Sequence, residues 1–241
     1  MGHIINFQEL KEREFFRLEK IENIEDRKFF LRGFTYINRD MAVYYLSEGN
    51  FSQARIHFSK AGIVSEYEHL IYGGLSKVQG SSYNFMNALF SDNPIAIERL
   101  SNLEHDKFPN GFALEFGKCI QAHIKDDMVS FEQSLANLVK ITSKTGHKNL
   151  NGCTVGFEGI LKKDINKIEE GIHLQLKTHK RIDGFKWLKD YICFHGTTIA
   201  KMAWRIGIEV EIDNPLIPKR LLPYEPLPFY EGYDFFKEIG Y

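Results

Sequence analysis

The sequence predicts an all-α protein: an irregular array of antiparallel helical hairpins, TPR-like or solenoid-like, closed by a short extended, proline-rich C-terminal tail. Three observations carry that expectation. Apolar residues recur three to five positions apart over most of the chain, the period of a helix with one buried face. Polar pairs at Gly49-Asn50, Asp92-Asn93, Asp126-Asp127 and Lys163-Asp164 interrupt that period at intervals of roughly 34 to 43 residues, the range of two-helix repeats. Five of the seven prolines, Pro215, Pro218, Pro223, Pro226 and Pro228, follow Gly207 and forbid further helix. A single domain over 1–241 is expected, with 208–241 a tail packed on it.

In chain order, Gln8 to Phe30 carries Leu10, Phe15, Leu18, Ile21 and Ile24 among many charges, the pattern of one or two amphipathic helices. Arg32 to Glu48 continues with Phe34, Ile37, Met41, Tyr44 and Tyr45. After the stop at Gly49-Asn50, Phe51, Ala54, Phe58 and Ala61 form the stripe of a second helix, so Phe34 to Val64 reads as a hairpin. The segments after all four breaks align. Their first positions hold Phe51, Pro94, Met128 and Ile165, their fourth Ala54, Ile97, Phe131 and Ile168, and their eighth Phe58, Ser101, Leu135 and Ile172. An irregular helical domain and a stacked solenoid both satisfy this pattern, since any amphipathic helices with polar starts align similarly. Tyr72 to Ser82 and Lys144 to Gly159, rich in glycine, read as the flexible stretches. Phe185 to Arg205 reads as a last helix with a kink at Gly196-Thr197-Thr198. Gly207 then stops it, and Ile208, Val210 and Ile212 alternate with Glu209, Glu211 and Asp213 in an extended stretch with one apolar face.

Composition narrows the function. At 241 residues the chain is long enough to bury a core without disulfides or metal. Its 31 basic and 32 acidic residues, net charge -1, argue against a general nucleic-acid binder, which shows a basic excess. Cys119, Cys153 and Cys193 lie apart among apolar neighbours and read as buried, reduced thiols. The N-terminal residues Met1 to Gln8 lack the apolar core of a secretory signal, Asn6 stands where myristoylation wants Ser or Thr, and no stretch approaches a membrane span. A cytoplasmic protein without a membrane partner is the expectation.

Catalytic motifs are missing from the sequence. No HExxH or paired Cys/His spacing marks a metal site, and His173 and His179, six apart, fall on different faces of a helix. Cys193 and His195 would point about 200° apart on a helix, which excludes a nucleophile-base pair. His57, His69, His105 and His123 read as surface or core residues. Carboxylates such as Glu12, Glu14, Glu169 and Glu170 sit beside Lys or Arg on charged helix faces, where solvated ion pairing is the ordinary account. Gly73-Gly74 and the segment from Gly152 to Gly156 lack the spacing and the lysine of a phosphate loop, and no GxSxG elbow occurs. The basic, aromatic run from His179 to Lys189 could touch a phosphate backbone, but a partly buried helix with solvated lysines accounts for it. No catalytic residue, cofactor or metal is therefore expected, and the chain reads as a non-enzyme.

Aromatic residues make up 14% of the chain and are concentrated with acids in its last residues. Tyr224, Glu225, Tyr230, Glu231, Tyr233 and Asp234 are the candidate partner contacts, since aromatic anchors with an acidic surround suit a basic protein partner such as a nuclease cleft. The same residues also suit packing of the tail onto its own helices, and that is the stronger reading.

The run Ile199-Ala200-Lys201-Met202-Ala203-Trp204-Arg205-Ile206-Gly207-Ile208-Glu209-Val210, followed by Asp213-Asn214-Pro215-Leu216-Ile217-Pro218 and Leu221-Leu222, resembles the C-terminal signature of immunity protein family forty-nine. Met41 to Leu46 through Gly49-Asn50, Ala54 and Ala61 is similar to that family's N-terminal helical hairpin. The resemblance implies a mostly helical bacterial cytoplasmic protein from a polymorphic toxin locus, which binds and neutralises a cognate toxin domain without enzymatic activity. It carries no functional residue across. A helical-repeat scaffold or regulator that binds another protein or peptide is the alternative.

Overall fold

The computed structural model describes residues 27–72, 82–104, 111–182 and 188–241, together with Glu9, Glu12 and Arg13. The described residues are mostly helical and contain no strand. Helices α1 (Arg27–Ser47) and α2 (Phe51–Tyr72) come first, then α3 (Ser82–Ser91) and α4 (Pro94–Ser101). Next are α5 (Phe112–Ile124) and α6 (Met128–Thr142), α7 (Asn151–Lys162) and α8 (Ile165–Ile182), and finally α9 (Phe194–Arg205). The closest packing pairs α1 with α2, α5 with α6, and α7 with α8, while α2 also packs on α3 and α8 on α9. The expected Gln8–Phe30 and Tyr72–Ser82 readings fall largely outside the described residues.

The four polar breaks share one local geometry. Gly49, Asp92, Asp126 and Lys163 all take the left-handed conformation, with φ of 71°, 55°, 55° and 54°. Only glycine adopts it freely, and Asp tolerates it better than most residues. At three of the breaks the next residue's N–H reaches five residues back: Asn50 to Tyr45 O, Asp127 to Ala122 O and Asp164 to Gly159 O, at 2.8–2.9 Å. That bond is the mark of a Schellman stop. The same residues then open the following helix, as Asn50, Asp127 and Asp164 accept from the N–H of Gln53, Ser130 and Lys167. Asn93 does so from Ile95 and Ala96. At three of the breaks one residue thus ends a helix through its backbone N–H and begins the next through its side chain.

Beyond the breaks, the fourth and eighth positions are buried in every segment, including Ser101, whereas Pro94, Met128 and Ile165 at the first position are exposed. The stripe therefore starts one turn inside each helix. Phenylalanine fills the space between helices: Phe58, Phe90 and Phe194 meet at ring separations of 5.4–6.5 Å, and Phe116 lies 5.0 Å from Phe157, which packs against Phe131. Cys119, Cys153 and Cys193 are free and buried in this core.

Two sequence readings require correction. Lys144 to Gly159 is no loop: Thr145–Leu150 forms a 3₁₀ turn and the rest begins α7. Gly152, Gly156 and Gly159 permit helix contact instead of chain bending. A Cβ on Gly171 of α8 would meet Gly156 Cα at 2.5 Å and Gly152 O at 2.7 Å. The same approach sets the fully buried Gln175 amide of α8 against the Gly152 and Cys153 N–H groups, and with its oxygen turned toward them it accepts from both, at 3.1 and 3.2 Å, where Leu150 supplies no side-chain cap. The last helix begins at Phe194, not at Phe185. Leu188–Asp190 is a separate 3₁₀ turn, and the Cys193 N–H bonds to Leu216 O at 2.8 Å, which holds Cys193 extended. Gly196, Thr197 and Thr198 are buried in the first turns of α9.

Residues 206–241 contain no α-helix, only short 3₁₀ turns at Lys219–Leu221 and Asp234–Ile239. After the Schellman stop at Gly207, Val210 and Ile212 turn inward while Glu209, Glu211 and Asp213 face solvent. Farther on, Tyr233 and Phe236 enter a second core cluster with Leu31, Phe34, Ile63, Val64, Tyr67 and Ala96. The C-terminal segment therefore supplies part of the interior of the first helical pair.

Two consequences are measurable. Gly171→Ala forces backbone against backbone and should cost about 3 kcal/mol in urea denaturation, whereas Gly146→Ala, with nothing within 4 Å of the added carbon, should change stability by less than about 0.5 kcal/mol. The second concerns acid. Burial lowers His195 to about 3, and burial with the nearby Arg205 lowers His123 to about 4. An unfolded histidine titrates near ~6.5, so below that pH the unfolded chain binds protons that the folded chain excludes. Stability is thus full above pH ~6.5 and falls as the pH drops toward ~4, by up to about 1.4 kcal/mol per pH unit for each histidine. Burial raises Asp40 to about 6, so its contribution runs the other way, declining as the pH rises through the interval from ~4 to ~6. The two histidines outweigh it, and His195→Gln should flatten the acid limb of a urea-midpoint profile by one proton.

Candidate functional site

The break at Asp92 differs from the other three. Its carboxylate is wholly buried, and it faces two buried cations. Lys201, in the middle of α9, places Nζ 2.8 Å from Asp92 Oδ1, and Arg55 of α2 places Nε 3.0 Å from Oδ2. Lys201 is fully buried and Arg55 nearly so. Burial pushes the Lys201 ammonium down to about 8, against the pull of Asp92, which favours its charged form. Such a triad is stable only if the remaining donors and acceptors are also satisfied.

The C-terminal segment satisfies most of them, while Asp92 Oδ1 is left with the Lys201 ion pair alone. Lys201 Nζ donates to the carbonyls of Leu221 at 2.7 Å and Pro223 at 3.2 Å. Arg55 Nη2 donates to Arg220 O at 3.2 Å and to Glu225 Oε2 at 3.0 Å, and the Glu225 N–H returns to Asp92 Oδ2 at 3.3 Å. Two cations from the helices thus meet two carboxylates, one from a helix break and one from the segment. A few residues on, Tyr230 OH donates to Ser91 O at 2.9 Å and accepts from the Leu227 N–H at 3.0 Å. Lys60 approaches Glu231 at 3.6 Å and lies 5.0 Å from the Tyr233 ring centre. Tyr233 OH accepts from Asn38 Nδ2 at 2.8 Å, and Asn38 Oδ1 also meets His57 Nδ1. Tyr67 OH and Tyr241 OH donate to Glu238 and Glu66, and Arg99 joins Glu66 at 2.7 Å.

The six candidate contacts are therefore divided by the fold. Tyr233 is buried, stacked beside Phe235 and edge-on to Phe34, so it is not a surface contact. Its phenol finds a partner inside, which is why a tyrosine can occupy that position. Glu225 and Tyr230 are spent on Arg55 and on Ser91, although part of each remains exposed. Tyr224, Glu231 and Asp234 lie at the surface, with Tyr224 under the Arg205 guanidinium at 5.0 Å. Between Pro94 and Ile95 of α4 and the Leu227–Phe229 stretch runs a largely apolar groove of about 530 Å³. Phe229 is 72% exposed beside it and Ile95 53%.

Sequence reasoning missed the triad. The available signal was Lys201, a lone cation inside the apolar run from Ile199 to Trp204, which on a buried helix demands a counter-charge. Nothing in the sequence paired it with Asp92 or Arg55. Asp92 and Lys201 are sealed from solvent, while Arg55 and Glu225 border a pocket of about 420 Å³ with Arg220 and Phe51. Elsewhere, His179 is buried and Lys180 lies 3.8 Å from Asp190, while residues 183–187 of the basic run fall outside the described residues. No group of three or more metal-ligating side chains occurs among the described residues.

Removal of one member of the triad strands the others. Asp92→Ala should cost about 3–5 kcal/mol and open residues 220–231 to hydrogen exchange. Glu225→Gln, whose side chain is 58% exposed, should cost no more than about 1 kcal/mol, and the two variants compared by thermal unfolding separate the buried pairing from its outer contact.

No protein-family model, no curated protein and no solved structure matches the chain.

Proposed function

We propose that this protein is an immunity protein, which binds and neutralises a bacterial polymorphic toxin by surface complementarity. The carrying observation is Phe229: an exposed aromatic beside an apolar groove, on a segment held on one side by the Asp92 triad and on the other by Tyr233 and Phe236. A surface fixed before binding loses little conformational entropy when it docks, and a rigid aromatic anchor concentrates binding energy. Glu231 and Asp234 stand exposed nearby, beside Lys60 at 3.6 Å and Lys237 at 3.0 Å, and a basic partner such as the cleft of a nuclease toxin would compete with these lysines for them. The helical pairs form the rigid support of this surface, and the hairpin-array, TPR-like reading of the fold belongs to the same proposal. No helix among the described residues is long and apolar enough to cross a membrane, and the proposed site of action is the cytoplasm, where a toxin domain would otherwise act. In this reading the protein acts by occlusion and is not an enzyme.

The experiment is co-expression with the toxin encoded nearest the gene, scored for survival and for stoichiometric capture. Phe229→Ala should weaken toxin binding about thirtyfold, the loss typical of a hot-spot aromatic, with unchanged thermal unfolding. Tyr233→Ala should lower stability through loss of the Phe34 and Asn38 contacts. Wild-type capture of a different protein, with no protection against the toxin, would favour the scaffold reading instead.

A further inference from the structure

The net charge of -1 conceals an uneven distribution. Residues 140–150 and 173–182 together carry six Lys and Arg side chains and no Asp or Glu. The fold brings these two stretches together, because the 3₁₀ turn Thr145–Leu150 packs on α8 and Thr178 Oγ1 of α8 donates to Asn149 O at 2.7 Å. Lys140 and Lys144 lead into that turn from the end of α6, and Lys148 lies within it. Lys177 and Arg181 stand either side of Thr178 along α8, four residues apart, the spacing at which side chains on a helix are neighbours.

These cations are exposed and largely unneutralised. Among the described residues no carboxylate pairs with Lys140, Lys144, Lys148, Lys177 or Arg181, and Lys180 alone has one, Asp190 at 3.8 Å. Exposed lysines elsewhere are matched more closely: Lys162 meets Glu158 at 2.7 Å and Lys237 meets Asp234 at 3.0 Å. With six cations gathered here, the rest of the chain is acidic on balance, and the field of the whole molecule turns this face toward a polyanion. The other exposed residues of the two stretches select among polyanions. They are His, Ser, Thr and Gly, with the exposed Val139 just before the first stretch. A protein interface is centred on aromatic or apolar anchors, and a membrane-surface helix inserts an apolar face; these stretches expose neither. A single nucleic-acid strand is held by bases stacked on aromatic rings, and the two stretches contain no Phe, Tyr or Trp. Unpaired Lys and Arg with hydroxyl groups between them are the side chains that grip a duplex backbone.

We infer that this face binds the phosphate backbone of a nucleic-acid duplex through Lys140, Lys144, Lys148, Lys177 and Arg181, without reading base sequence. The site goes beyond the immunity reading and does not depend on it, since that reading rests on other residues, those around Phe229.

The test titrates the full-length protein into fluorescein-labelled DNA and RNA duplexes of mixed sequence and reads anisotropy from about 50 to about 200 mM salt. Each neutralised phosphate releases counterions, so five contacts predict that log K for the DNA duplex falls against log salt with a slope of about -4.5. Lys177→Gln combined with Arg181→Gln should make that slope shallower by about two and weaken binding at least about tenfold at ~0.1 M salt. Lys144→Gln combined with Lys148→Gln should do the same, and all four positions are exposed, so thermal unfolding should not change. Lys162→Gln, which removes a lysine already paired with Glu158, should leave binding unaltered, as should Phe229→Ala. Binding of neither duplex at ~50 mM salt, or equal weakening by Lys162→Gln, overturns the proposal. Tighter binding of polyglutamate than of either duplex overturns it in favour of an acidic protein partner, and tighter binding of phosphatidylserine vesicles in favour of a membrane surface. A preference between the two duplexes identifies which nucleic acid the face holds.

Discussion

The buried encounter of Asp92 with Lys201 and Arg55 joins three parts of the chain that are distant in sequence: a helix break, the middle of the last helix, and the second helix. Each charge is intolerable in that position alone and acceptable in company. The carbonyls of Arg220, Leu221 and Pro223 and the Glu225 carboxylate complete the set. The C-terminal segment is thus positioned by an electrostatic requirement of the helices as much as by its own apolar side chains. A purely hydrophobic contact would hold the segment without fixing its register, whereas five directed bonds fix both.

That placement has a second effect. Once Glu225 is located, the chain must deliver Tyr233 and Phe236 to the face of α1 and α2, where Leu31, Phe34 and Tyr67 wait with an unfilled cluster. The stretch between, from Pro226 to Gly232, spans the gap and carries Phe229 outward. Exposure of Phe229 is a consequence of the two anchors on either side of it, and the groove beside it exists because α4 begins at Pro94, immediately after the anchored Asp92. The proposed interaction surface and the internal ion cluster are therefore two faces of one construction.

The glycines of α7 show the same dependence on context. In sequence, Gly152, Gly156 and Gly159, three glycines within eight residues, look like punctuation. In the fold they are the small faces that let α7 and α8 approach until backbone meets backbone at Gly171. Glycine has both uses, and only the presence of a partner helix decides between them.

What the sequence by itself determined is local. Helical class, the four breaks and the inward-facing fourth and eighth positions all follow from interactions within a few residues, where periodicity and capping chemistry act. Gly49, Asp92, Asp126 and Lys163 were legible as stops because the residues after them, Asn50, Asn93, Asp127 and Asp164, carry side chains that cap helices. The candidate site was legible only as a composition, an acidic and aromatic ending. Which of its residues turn inward was decided by contacts across more than a hundred positions, between Glu225 and Arg55 and between Tyr233 and Asn38. Lys201 advertised a need for a counter-ion without naming it, because charge pairing at a buried site depends on distances that only the packed helices define.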